Sequence, residues 1–185
     1  MKITKIETIV VSMPMIIEGS VMPKQGGKPR TKMDTLLVKI ETDEGVTGWG
    51  EGFGHRIFTA TKAALDSFIA PMCIGRDPTQ ISALHEELHR NLGNVGRNGP
   101  AMYASSAIDI ALWDIAGKLA KLPLYRLLGG ALKTELPAYA SLLRYGEPAA
   151  VTHYVERALK RGYRDRKSTR LNSSHSQQSR MPSSA

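Results

Sequence analysis

Between Ala104 and Gly129 the chain reads ASSAIDIALWDIAGKLAKLPLYRLLG, and its apolar residues do not form a single stripe. At 100° per residue, Ala104, Ala107, Ile108, Ile110, Ala111, Leu112, Ile115, Ala116, Leu119 and Ala120 cover nearly the whole circumference of a helix. A helix apolar all round is buried on most sides. The run holds too many small and polar residues, and is too short before Asp114 and Lys118, to span a membrane. Two acids, Asp109 and Asp114, sit inside it. A buried carboxylate needs a cation or backbone donors, so each is expected to be structurally paired. Lys118 follows Asp114 by four residues, the favourable order for an intrahelical pair. Pro123 ends the helix, Leu124 to Leu128 restarts a short turn, and Gly129-Gly130 closes it.

This stretch resembles the signature of the mandelate racemase/muconate lactonizing enzyme family, a branch of the enolase superfamily. The residues that carry the resemblance are Ala104, Ser106, Ala107, Ile108, Asp109, Ala111, Leu112, Asp114, Ile115, Gly117, Lys118, Pro123, Leu124, Leu127, Leu128 and Gly129. The resemblance covers roughly residues 1–164. It implies an α+β class: an enolase-like N-terminal capping domain, with a three-stranded antiparallel sheet and a helical bundle, then the first βα unit of a truncated (β/α) barrel. The domain expectation is a cap over 1–130, the first barrel strand and helix over 131–164, and a disordered, non-native tail over 165–185.

The residues themselves read in the same direction. Residues 2–13 are β-branched and strand-like. Residues 14–32 carry Pro14, Gly19, Pro23, Gly26, Gly27 and Pro29 and read as a long loop. In 35–42 Leu36, Val38 and Ile40 alternate with Lys39 and Glu41, the pattern of a strand with one wet face. Asp43-Glu44-Gly45 is a turn and Val46 to Glu51 the returning strand. The glycine-dense GWGEGFG of 48–54 fails the G-x-G-x-x-G dinucleotide fingerprint, so its glycines are expected to let the backbone approach another surface closely. Ile57 to Ile69 reads as a helix carrying Ala60, Ala64, Leu65 and Phe68. Asp77-Pro78 reads as a helix start running to about Leu92. Leu136 to Leu142 reads as a strand, and Pro148 to Arg161 as a helix ended by Gly162.

From Asp165 the pattern collapses into DRKSTRLNSSHSQQSRMPSSA, Ser-rich and without period, which cannot bury enough apolar surface to offset its ordering entropy. The family places a strand with a Lys-x-Lys motif here. Lys167 lies near that position, but Ser168 and Thr169 do not continue the motif, and Lys167 is read as coincidental.

Charge and cysteine usage exclude some classes. The formal net charge is +8 over 185 residues, but it is spread out, with no basic run or aromatic interleaving, so nucleic acid is not an expected partner. The N-terminus lacks a small-x-small cleavage site and reads as a strand; with the single Cys73, this fits a cytoplasmic protein.

The resemblance implies proton abstraction α to a carboxylate, with Mg²⁺ stabilising the enolate. Fixed positive charge must meet the developing dianion, and hard cations take oxygen ligands. The Asp/Glu/Glu ligand set and the catalytic bases belong to barrel strands beyond residue 164. The expectation is therefore a piece of a dehydratase, racemase or cycloisomerase. It has no catalytic residues or metal of its own, and its full-length parent is Mg²⁺-dependent, homo-oligomeric and acts on a small carboxylate or acid sugar. Two cap loops shape substrate choice in the family. They map here onto roughly 15–32, with Ile16, Ile17, Val21 and Met22 as an apolar lid and Lys24, Lys28 and Arg30 facing an acid, and onto 53–58, with His55 and Arg56. Tyr139, Ser141 and Arg144 lie near the end of the first barrel strand, the active-site side of such barrels.

Two other classes stay open. One is a non-catalytic anion-binding module using the basic loops. The other is a zinc hydrolase, because His85-Glu86-Glu87-Leu88-His89 matches H-E-x-x-H, two histidines that can share a metal with Glu86 as base. Against it, Ile81, Leu84, Leu88 and Leu92 make the buried stripe and leave both histidines at its edge, as on an ordinary surface helix.

Overall fold

The computed structural model describes residues 1–15, 31–96, 98–142 and 145–167. Contacts divide the chain into two compact units, one formed by Met1–Pro14 with Lys32–Leu132, the other by Met15–Thr31 with Lys133–Ala185.

In the first unit, β1 (Ile3–Pro14), β2 (Lys32–Thr42) and β3 (Thr47–Gly52) form an antiparallel sheet in that order. Val38 lies opposite Thr8 on one side and Gly50 on the other. The alternation in β2 is realised: Leu36, Val38 and Ile40 are at most 1% exposed. On the other face Lys39 pairs with Glu41, and its ammonium lies 6.0 Å from the Trp49 ring. Each of that pair favours the other's charged form, Lys39 raised and Glu41 lowered from their ordinary pKa values.

The helix that organises the unit is α4 (Pro100–Ala120), with Pro100 in its first turn as Asn98-Gly99-Pro100 implies. It lies on β3 and β2. The contact depends on missing side chains: a Cβ on Gly48 would stand 2.2 Å from the Ala111 carbonyl oxygen, and one on Gly50 2.1 Å from that of Ala107. The glycine-dense strand is thus a flat seat for a helix backbone. Ala104, Ala107, Ile108, Ala111, Leu112 and Ile115 are buried beneath it. The all-round burial is incomplete, for Ile110 is 48% exposed.

Before α4 come α1 (Phe58–Ala64), a π turn (Leu65–Ile69), α2 (Ala70–Cys73) and α3 (Ile81–Asn91). The inward residues are Thr61, Leu65, Ile69 and Cys73, a step of four that the wider π turn accommodates. Ala60 and Phe68, both within the expected helix, are exposed. Burial pushes the Cys73 thiol up to about 12. Asp77 does not cap α3, which begins three residues beyond the expected start. Its carboxylate instead accepts the Thr79 N–H (2.9 Å) and hydroxyl (2.8 Å), closing a turn ahead of the helix. After α4 a short α5 (Leu124–Leu127) follows Pro123.

The second unit contains β4 (Ala140–Ser141), α6 (Pro148–Lys160) and β5 (Arg166–Lys167). β5 pairs parallel with β4, Ala140 opposite Arg166 and Ser141 opposite Lys167. Arg166 and Lys167, within the expected tail, thus form a short strand, and 168–185 lie outside the described residues. The edge of β4 offers unpaired backbone groups that any extended segment can satisfy, whatever its hydrophobicity, and the Ala140 N–H takes the Asp165 carbonyl at 2.9 Å. No helix among the described residues is long and apolar enough to cross a membrane.

Candidate functional site

Of the residues singled out in the sequence, Tyr139 and Ser141 are brought together. Two apart on an extended backbone, they share a face. They line a cavity of about 460 Å³ with Tyr154, Arg157, Arg161 and Tyr163. A cavity of this size can hold a small molecule. α6 positions its far wall. Arg157 and Arg161 are four residues apart, so they share one face of the helix. Gly162, with φ of +87°, turns the chain back so that the Tyr163 N–H reaches the Ala158 carbonyl (3.2 Å). Tyr154 is held from outside the cavity by Tyr145, stacked on it at 4.5 Å.

The sequence reading missed Arg157, Arg161, Tyr154 and Tyr163. The i, i+4 arginine pair before a terminating glycine was the available signal. Charge at a helix C-terminus is so common, however, that spacing alone does not mark a site.

The remaining candidates fall elsewhere. Arg56 is exposed and belongs to the first unit, in a 3₁₀ turn spanning His55–Ile57. The turn is anchored at its base: the Thr61 hydroxyl donates to the Phe53 carbonyl (2.9 Å), and the Phe53 ring packs edge-on against Tyr103 at 5.0 Å. Ile16, Ile17, Val21, Met22, Lys24, Lys28, Arg30 and Arg144 lie outside the described residues.

The two acids of α4, expected to be buried, are about one-third exposed, and Asp114 is the one with hydrogen-bond partners among the described residues. Asp114 accepts the Trp49 N–H (2.8 Å) and the Lys118 ammonium (2.7 Å), which also reaches the Thr47 carbonyl (2.7 Å). One carboxylate thus ties the helix to β3. Asp109 Oδ1 stands 3.7 Å from His85 Nδ1, and the His85 and His89 rings lie 4.1 Å apart. Glu86, the base in a zinc-hydrolase reading, is instead paired with Arg90 at 3.0 Å. Among the described residues no group of three or more His, Cys, Asp or Glu side chains could hold a metal ion.

Comparison with known proteins gives a consistent result. Residues 6–129 match the N-terminal domain of mandelate racemase / muconate lactonizing enzyme. A D-galactonate dehydratase family member from Musicola paradisiaca (strain Ech703) is 40% identical over 134 residues, 71% of this chain and 31% of that protein. The 3,6-anhydro-D-galactonate cycloisomerase from Zobellia galactanivorans superposes with a TM-score of 0.74 at 32% identity, over 90% of this chain and 42% of its own. A candidate mandelate racemase/muconate lactonizing enzyme from Roseovarius nubinhibens ISM, complexed with magnesium, superposes with a TM-score of 0.70 at 32% identity, over 90% of this chain and 43% of its own. The chain thus spans less than half the length of the proteins it matches.

Proposed function

The chain belongs to the mandelate racemase/muconate lactonizing enzyme family, and on that footing we propose that it is the capping domain and first strand–helix unit of a longer enzyme. That enzyme removes the proton α to a carboxylate in a small acid, with an acid sugar as the favoured substrate class. The observation that carries the reading is the seat of α4 on the glycine-dense β3, followed in the chain by β4 and α6. In this reading β4 and α6 are the opening strand and helix of a parallel barrel. The dehydratase and cycloisomerase names among its relatives support the substrate class.

Magnesium is the metal this reading gives the longer enzyme, where it would neutralise charge on the enolate. The described residues do not fit it: they contain no group of three or more possible ligands. No step through the metal is therefore assigned to this chain. Its own part is binding. Tyr139 and Ser141 supply hydroxyls at the end of β4. The cap loops, with Ile17, Val21, Lys24, Arg30, His55 and Arg56, meet the substrate's acid and exclude water. A lone parallel pair cannot close a barrel, so residues 1–185 by themselves have no turnover. The longer protein is a cytoplasmic homo-oligomer.

The test is the gene. Read past the codon for Arg164, it should continue into a hydrophobic strand with Lys-x-Lys and then spaced Asp, Glu and Glu. A stop after Ala185 in the genomic DNA would overturn the proposal, as would Mg²⁺-dependent dehydration or racemisation of aldonates by purified 1–185.

A further inference from the structure

Three side-chain polar atoms among the described residues are buried without a hydrogen-bond partner, and all three lie on α3 or α4: His85 Nδ1, His89 Nε2 and Ser105 Oγ. His85 and His89 are one helical turn apart on α3, with ring centroids at 4.1 Å. Ser105 and Asp109 are one turn apart on α4, and Ser105 is 1% exposed. His85 Nδ1 faces Asp109 Oδ1 at 3.7 Å. The chain reverses between the two helices, so the register that puts 85 beside 109 brings 89 alongside 105. Each imidazole turns one nitrogen toward α4 and leaves the other on the solvent side, in keeping with the 43% exposure of the His85 side chain. Neither outer nitrogen, Nε2 of His85 or Nδ1 of His89, bonds to a described residue. Buried polar atoms without partners are costly. A metal ion on the outer nitrogens supplies the missing order, because a ligating imidazole carries its proton on the other nitrogen. The His85 N–H then stands at Nδ1, facing the Asp109 carboxylate, and the His89 N–H at Nε2, on the side of Ser105. A carboxylate behind a metal-bound histidine is the common way to orient the ring.

We propose that His85 and His89 form a two-histidine chelate for a borderline divalent transition-metal ion such as Zn²⁺, with Asp109 and Ser105 as positioning residues behind them. Imidazole ligands select such ions over Mg²⁺, which takes oxygen ligands. No third His, Cys, Asp or Glu completes a cage among the described residues, so water fills the remaining positions. The site is not that of a hydrolase: Glu86 is 75% exposed, pairs with Arg90 and supplies no base. The ion acts as a brace. It ties two successive turns of α3 together and, through Asp109, holds them to α4. The proposal concerns the first unit alone and does not rest on the enzyme reading.

The experiment is calorimetric titration of the untagged 185-residue chain with Zn²⁺ in a non-coordinating buffer containing excess Mg²⁺. One equivalent should bind in the micromolar range. His85→Gln and His89→Gln, made singly, should each weaken binding about tenfold or more, and the double variant should abolish it. Asp109→Asn should weaken it about tenfold, an effect on affinity that a purely structural role would not produce. Glu86→Gln and His153→Ala should leave it unchanged. Zn²⁺ should raise the thermal midpoint of the parent and not that of the double variant. All variants should keep the far-ultraviolet circular dichroism of the parent. Absence of a saturable equivalent overturns the proposal, as does binding that survives the double variant, which would place the ion on other groups. A loss with Glu86→Gln equal to that with His85→Gln also overturns it, by returning Glu86 to the ion. None of these outcomes depends on turnover or on what the gene encodes past Arg164, so this proposal and the enzyme reading fail separately.

Discussion

The two units use the same elements to different ends. In the first, three strands and α4 enclose a core in which Leu36, Val38, Ile40, Leu65, Ile69, Ile108, Leu112 and Ile115 are at most 1% exposed. In the second, α6 has no buried residue, Leu159 is 59% exposed, and Ala140 is the one buried residue among β4, α6 and β5 whose side chains are described. Both have amphipathic helices and extended segments, so propensity does not separate them. Closure does. An antiparallel sheet of three strands presents a whole face to one long helix and completes a core locally. A βα unit presents edges and a half-covered helix that only neighbouring units can finish. The cavity beside α6 is one consequence of that open architecture.

The sharpest way to break this contrast is at the helix seat. Gly50→Ala places a methyl 2.1 Å from the Ala107 carbonyl oxygen, which neither backbone can avoid without separating. The expected cost is about 3 kcal/mol or more, read as a large fall in the first unit's thermal midpoint. A matched change in the second unit, Gly162→Ala at φ +87°, should cost about 1 kcal/mol and leave that midpoint in place. Equal effects would show that the units melt as one body. Core truncation comes next: Leu112→Ala removes a side chain 1% exposed and should cost about 2–5 kcal/mol by urea denaturation. The third effect is electrostatic. Asp114→Ala leaves the Trp49 N–H without its acceptor and Lys118 with the Thr47 carbonyl alone, and should cost about 1–2 kcal/mol, moderated because the Asp114 side chain is 35% exposed. Asp114→Asn, which keeps an acceptor, should lose less.

The smallest expected effect is on pH dependence. The Asp77 carboxyl is held below its ordinary value, first by the Thr79 N–H and then by the Thr79 hydroxyl. A depressed carboxyl contributes stability that is present above its unfolded pKa of about 4 and is lost as pH falls through the lower folded value. Asp77→Asn should therefore lower stability modestly at pH 7 and flatten the acid limb below about pH 4, the variant and the parent converging in acid. An unchanged acid limb would place the linkage elsewhere, with Glu87 as the next candidate because Arg76 depresses it as well.

How much was legible beforehand follows the same division. The β2 alternation, the turn at 43–45, the seat offered by the glycines of 48–54 and the Asp114–Lys118 pair could be read from the sequence, because each is set by neighbours in the chain or by one dominant burial. The α3 start was misplaced because Asp-Pro serves a turn as readily as a cap. The π turn, which buries Ile69 and leaves Phe68 exposed, has no mark in helical periodicity. Within the candidate site Tyr139 and Ser141 were readable from their place on a strand. Arg157, Arg161, Tyr154 and Tyr163 were not, because a helix presents them toward that strand only after the chain has turned back on itself.

By itself, then, the sequence determined the family, the antiparallel cap and the long helix, since periodicity, glycine spacing and an all-round apolar run leave few other ways to bury the same surface. Only the tertiary structure decided which groups meet. It set Asp114 against the Trp49 amide across 65 positions of chain and gathered two arginines and four hydroxyls around one cavity. It also drew Arg166–Lys167 into a ladder that their own side chains do not predict. Contacts between distant residues depend on how elements pack, and packing follows from the whole core rather than from any local run of residues.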